Sequence, residues 1–124
     1  MANVMIQQLD AHLTAAPKLE FVQVNDERKA KVTFVAISNS VWTSNDTRNE
    51  KSTAVRWTAW GKAAEAHAKY LSKGSHVNVT GRIDNNNYEK DGEEIFGFNF
   101  TADDVHYLDS KEVADLRKAK QAAQ

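Results

Sequence analysis

An all-β barrel with little helix is the fold class this sequence predicts, on three observations. Up to about residue 60, apolar and polar residues alternate with period two and β-branched side chains recur, which is strand patterning. From Lys62 to Leu71, KAAEAHAKYL is alanine-rich and spaces His67, Tyr70 and Leu71 as a helix would. Beyond it the alternation returns, interrupted by Asp91-Gly92, a strong two-residue hairpin signal.

Taken in order, EFVQV (20–24) and KVTFVAIS (31–38) read as two strands joined by the polar turn NDERKA, and SNDTRNEKS (44–52), without an apolar residue, as an exposed mobile loop. AVRWTAWGK (54–62) is a third strand ended by Gly61, and Gly74 is the expected left-handed cap of the helix that follows. HVNVTGRI (76–83) sets Val77, Val79 and Ile83 on one face against Asn78, Thr80 and Arg82, a half-buried strand. EIFGFNFTA (94–102) is the fifth, with Phe96, Phe98 and Phe100 on one face that is mostly core and Phe96 as the exception. Three strands, one helix and two strands is the layout of a five-stranded Greek-key barrel of the oligonucleotide-binding type, with the helix between strands three and four. The domain spans 1–109. In 110–124, Ser110 is placed as an N-cap and Val113 and Leu116 share a stripe, a short helix that docks weakly or frays.

With 124 residues the chain makes one domain, and with no cysteine it carries neither disulfide nor thiolate chemistry, so a cytoplasmic address is expected. No signal-peptide pattern or spanning stretch occurs. The net charge of −1 argues mildly against a polyanion partner, so any such affinity depends on where the charges sit. His12, His67, His76 and His106 lack the spacing of a metal site and read as surface or helix-packing residues. Asp103 and Asp104 are neighbours in a strand and face opposite ways, which undercuts paired-carboxylate catalysis, and they are expected to end that strand. Dispersed glycines form no phosphate loop. Neither a cofactor, a metal nor a catalytic residue is expected.

Trp57 and Trp60, three apart in a strand, point to opposite faces. Val55, Trp57 and Ala59 form the apolar face, so Trp57 belongs to the core. Trp60 shares the other face with Arg56 and stands just before Lys62, the composition of a base-stacking plate flanked by cations, although a barrel-end or interface role would use the same residue types. Tyr88, among NNNYEKDG, is hard to bury within one copy.

AVRWTAWGKAAEAHAKYLSKGSHVNVTGRI followed by ADDVHYLD resembles the bacterial single-stranded DNA-binding protein family, as do AHLTAAP, V-R-x-x-x-W/F-G-K and K-Y-L-x-K-G-S, over roughly 11–109. The resemblance implies an oligonucleotide-binding barrel that assembles as a homo-oligomer, usually a tetramer, and holds single-stranded DNA without enzymatic action in replication, recombination, repair or mobile-element transfer. It places Trp42, Trp60 and Tyr88 as stacking aromatics and Arg56, Lys62 and Lys73 against phosphates. Three departures stand out: Ala54 where many members have tryptophan, DNNN (84–87) in a hairpin that is usually basic, and RKAKQAAQ in place of an acidic tip with a Pro-Phe pair. They imply weaker binding that salt abolishes sooner, or a smaller occluded site, and no tip-mediated recruitment of repair or replication enzymes. A dimeric primosomal relative, a protein-interaction subunit on the same barrel, is the alternative the departures leave open.

Overall fold

The computed structural model describes residues 4–123. In chain order it contains β1 (Val4–Leu13), β2 (Lys18–Val24), β3 (Glu27–Ser44), β4 (Thr47–Trp60), α1 (Lys62–Tyr70), β5 (His76–Asn85), β6 (Tyr88–Lys90), β7 (Glu93–Ile95), β8 (Phe98–Tyr107) and α2 (Lys111–Ala122). Five strands form a ring in the order β1, β5, β8, β4, β3, which closes where His12 and Leu13 of β1 meet Ile37 and Ala36 of β3. All ring contacts are antiparallel except β4–β8, a parallel seam of Trp57 with Phe100 and Thr58 with Thr101. β2 lies outside the ring as a sixth strand on β3, and β6–β7 is a separate small hairpin. This is the predicted oligonucleotide-binding barrel with its helix between β4 and β5.

Trp57 is fully buried at the centre, packed edge-on against Phe100 at 6.0 Å and surrounded by Val32, Phe34, Ala36, Val77 and Val79. An indole N–H buried without a partner is costly; here Nε1 donates to Gln8 Oε1 at 2.7 Å, and Gln8 Nε2 donates to the Ala36 carbonyl at 2.9 Å. A Cβ at Gly81 would stand 2.0 Å from the Thr101 carbonyl and 2.7 Å from the Trp57 ring, so only glycine lets β5, β8 and the indole pack this closely.

Several sequence expectations are corrected. β1 escaped detection because its alternation is broken: Gln8 points inward, Leu9 is exposed, and Asp10 adopts φ 53° in a bulge that shifts the register between Gln8 and Ala11. The supposed loop 44–52 is regular hairpin, turned at Asn45-Asp46, both at positive φ, and its polarity reflects exposure of the ribbon rather than lack of structure. Asn25-Asp26 turns β2 into β3 in the same way, and Asp91-Gly92 joins β6 to β7 as expected. Gly74 does not cap α1: the helix stops at Tyr70 because Leu71 goes extended to bury its side chain, and Gly74 serves the next turn, donating to the Leu13 carbonyl at 2.8 Å. β8 runs through Asp103 and Asp104 to Tyr107, with Asp103 held by Arg82 at 3.0 Å and Asp104 beside His106 at 2.8 Å. Of the three phenylalanines only Phe100 packs on the core; Phe96 and Phe98 are exposed.

α1 closes one end of the barrel through Ala64 and Ala68, joined by Leu71 just past its end. His67 Nδ1 meets the Tyr107 hydroxyl at 2.5 Å, and burial pushes the imidazole below the usual histidine range, with Asp104 pulling weakly upward. His12 and His76, paired across β1 and β5, stack at 4.4 Å. Ser110 caps α2 as predicted, accepting the Val113 N–H at 3.2 Å. α2 lies against the barrel through polar anchors: Arg117 to Asp109 at 2.8 Å, Gln121 to the Lys73 carbonyl at 2.8 Å, and Lys118 to the Lys69 carbonyl. Burial pushes the Asp109 carboxyl up, but hydrogen bonds from Arg117 and the His76 N–H, with their charges, outweigh it and hold it below the usual range.

Trp57→Ala is expected to cost about 3–5 kcal/mol in a urea melt, the cost of truncating a fully buried aromatic. For His67, the unfolded chain takes up the proton first as the pH falls below about 6.5. Stability present above that value is therefore lost as the pH drops toward the folded value, and His67→Gln should flatten this part of a stability-against-pH profile.

Candidate nucleic-acid interface

The hairpin register decides which side chains share a surface. Lys31 pairs with Trp60 across β3 and β4 and with Glu20 across β2 and β3, giving a row Trp60, Lys31, Glu20. The next row is Thr58, Thr33, Lys18, and beyond it Arg56 sits opposite Val35. Since faces alternate along a strand, these residues lie on the side away from Trp57, together with Lys29. From Lys29 to Arg56 the face carries Lys18, Lys29, Lys31 and Arg56 against the single carboxylate of Glu20, which Lys18 engages at 3.1 Å. The Lys31 ammonium stands 5.5 Å over the Trp60 ring, and the indole is 41% exposed. A groove of about 320 Å³ runs alongside, walled by Thr14, Ala15 and Ala16 opposite Lys18, Lys31 and Arg56. Gly61, at φ 73°, ends β4 and sends Lys62 into the first turn of α1, so this cation follows directly after the plate. The arrangement offers an aromatic plane with cations on one side of a groove, suited to a flat base on a charged backbone.

The structure brings together Arg56, Trp60 and Lys62 of the expected residues. Trp42, opposite Asn49 near the hairpin tip, is half exposed but lies on the other face of the β3–β4 ribbon from Trp60. Lys73 is exposed in the turn after α1, beside the end of α2. Tyr88 is exposed on the β6–β7 hairpin, opposite Ile95, in a stretch that carries Glu89, Asp91, Glu93 and Glu94 against the single cation Lys90. Sequence reasoning missed Lys18, Lys29 and Lys31. Their signal was the alternation in β3, where Lys29, Lys31, Thr33 and Val35 share a parity, but it joins them to Trp60 only once a tight Asn-Asp turn sets the register. Among the described residues no cluster of three His, Asp or Glu side chains is arranged to hold a metal ion.

The family model described as the single-strand binding protein family matches residues 4–108. The chain is 35% identical over 102 residues to a single-stranded DNA-binding protein of Clostridium tetani, covering 82% of this chain and 68% of that one. It is 32% identical to single-stranded DNA-binding protein B of Bacillus subtilis, covering 83% and 88%. It spans 66% of the length of a Fusobacterium nucleatum single-stranded DNA-binding protein, at 30% identity. In fold it is similar to a Plasmodium falciparum single-strand binding protein solved with single-stranded DNA (TM-score 0.73, 18% identity, 88% and 96% covered). It is also similar to a Thermus aquaticus single-stranded DNA binding protein (0.71, 23%, 88% and 51%).

The charge on this face is testable without nucleic acid. In a Trp42→Phe background, iodide should quench Trp60 more than acrylamide does. Lys31→Gln with Arg56→Gln should abolish that preference and leave acrylamide quenching unchanged.

Proposed function

The chain belongs to the single-strand binding protein family, and we propose that it holds single-stranded DNA with little sequence preference, without enzymatic action, by stacking a base on Trp60 while the cations around it neutralise phosphates. The observation that carries this reading is the row Trp60–Lys31 beside the cationic groove. Lys31 parks over the indole in the free chain; a base arriving on the ring displaces the ammonium toward the phosphate that accompanies it. Arg56 and Lys18 extend the contact along the groove, with Lys29 and Lys62 flanking the plate, while Lys73 stands apart beside the end of α2. Trp42 is a second plate, reached by a strand that passes round the ribbon's edge. Tyr88 contributes least, because the carboxylates around it repel a phosphate backbone.

The names of the relatives support strand binding over a protein-interaction subunit. Homo-oligomerisation is supported by β1, which meets β3 only at His12 and Leu13 and so leaves the edge before them open, with Val4 and Met5 exposed. Work in replication, recombination or repair, in the cytoplasm, follows from the same reading.

Titrating the tryptophan fluorescence with poly-dT at two salt concentrations tests it: quenching by the single strand and not by duplex, weaker at high salt, is expected, and absence of quenching at low salt would overturn it. Trp60→Ala should cost about 1–3 kcal/mol of affinity with an unchanged melting curve. Lys31→Ala and Arg56→Ala should each lower the slope of log affinity against log salt by about 0.7.

A further inference from the structure

α2 does not dock the way an amphipathic helix ordinarily does. Its stripe of Val113 and Leu116 was expected to face the barrel, but Leu116 is 65% exposed and Val113 47%. The side turned inward carries Ala114, Arg117, Lys118 and Gln121, and three of these make the anchors to Asp109, Lys69 and Lys73. The Arg117–Asp109 pair is mostly shielded from solvent, which pins the helix against rotation about its axis. The outward side is Glu112, Leu116, Ala119 and Ala123, spaced four, three and four residues apart, with Val113 and Lys120 flanking. A shallow groove runs along one flank of it, lined by Lys111, Glu112, Asp115, Leu116 and Ala119.

We propose that this stripe is a self-association surface on which the α2 helices of two copies pair antiparallel about Leu116. The charge order along α2 selects both the occupant and its direction. Glu112 lies near the start and Lys120 near the end, each four residues from Leu116. A two-fold axis through Leu116 therefore brings Glu112 of each copy to Lys120 of the other, twice, and seats Val113 on the small Ala119. Parallel pairing would set Glu112 beside Glu112 and Lys120 beside Lys120. The alanines at 119 and 123 let the two backbones approach closely. A helix about 18 Å long buries far less than the roughly 1,200 Å² of a stable interface, so the contact is weak between free copies. It becomes effective where copies are already neighbours, as on one strand of DNA, because tethering raises their local concentration. The β1 edge is separate from this surface.

Sedimentation velocity on the full chain, across a concentration series carried up to about millimolar so that a weak contact is populated, tests the proposal, with circular dichroism to follow helix content. Leu116→Glu should weaken the association step by about tenfold or more, since it forces two carboxylates into the seam. E112K and K120E should each weaken it by about tenfold, and the double change E112K/K120E should restore it. An equimolar mixture of the E112K and K120E chains should associate better than either alone, because the cross-chain pairs are then of opposite sign. That outcome cannot arise from damage to α2 itself. Wild type and Leu116→Glu with the same mass distribution, or a mixture no more associated than its components, would overturn the proposal.

Discussion

Burying Trp57 sets the terms for the rest of the barrel. A tryptophan can be enclosed completely only if its N–H is satisfied and a neighbour gives up a side chain to make room. Gln8 supplies the first condition and Gly81 the second. Gln8 also returns its own amide to the Ala36 carbonyl, so one buried relay joins β1, β3 and β4, while the missing Cβ lets β5 close over the ring. The bulge at Leu9 and Asp10 follows from the same requirement, because a strand that turns a glutamine inward must shift its register to return Ala11 and Leu13 to the core.

Once the barrel is set, its charges separate. The whole chain is nearly neutral, yet the β2–β3–β4 face gathers cations around Trp60 and the β6–β7 hairpin gathers carboxylates around Tyr88. A polyanion approaching such a surface meets attraction on one side and repulsion on the other. Its path is thereby defined by exclusion as much as by contact. Three aromatics of similar exposure, Trp42, Trp60 and Tyr88, stand in unequal electrostatic surroundings.

How much of this was legible depended on whether a signal was local. The opposite facing of Trp57 and Trp60 follows from strand geometry alone and holds, as do the Gly61 break, the Asp91-Gly92 turn and the Ser110 cap. β1 was hidden because a bulge destroys the periodicity that reveals a strand. The long ribbon was hidden because a hairpin exposed on both faces needs no apolar residues. Missing that ribbon concealed the register, and with it Lys18 and Lys31, whose place beside Trp60 exists only across strands. The outward stripe of α2 was illegible for another reason: polar anchors overrode an apolar pattern that ordinarily turns inward.

The parallel seam between β4 and β8 bears on how the chain folds. Fourteen residue pairs zip β3 to β4 from a two-residue turn, whereas two pairs join β4 to β8 across roughly forty intervening residues. The ribbon can form early from local contacts, but the ring cannot close until α1, β5 and the acidic hairpin are in place behind it. This seam closes a long loop for two residue pairs, so the edge-on packing of Phe100 on Trp57 comes late, and the cationic face exists before the barrel beneath it is complete.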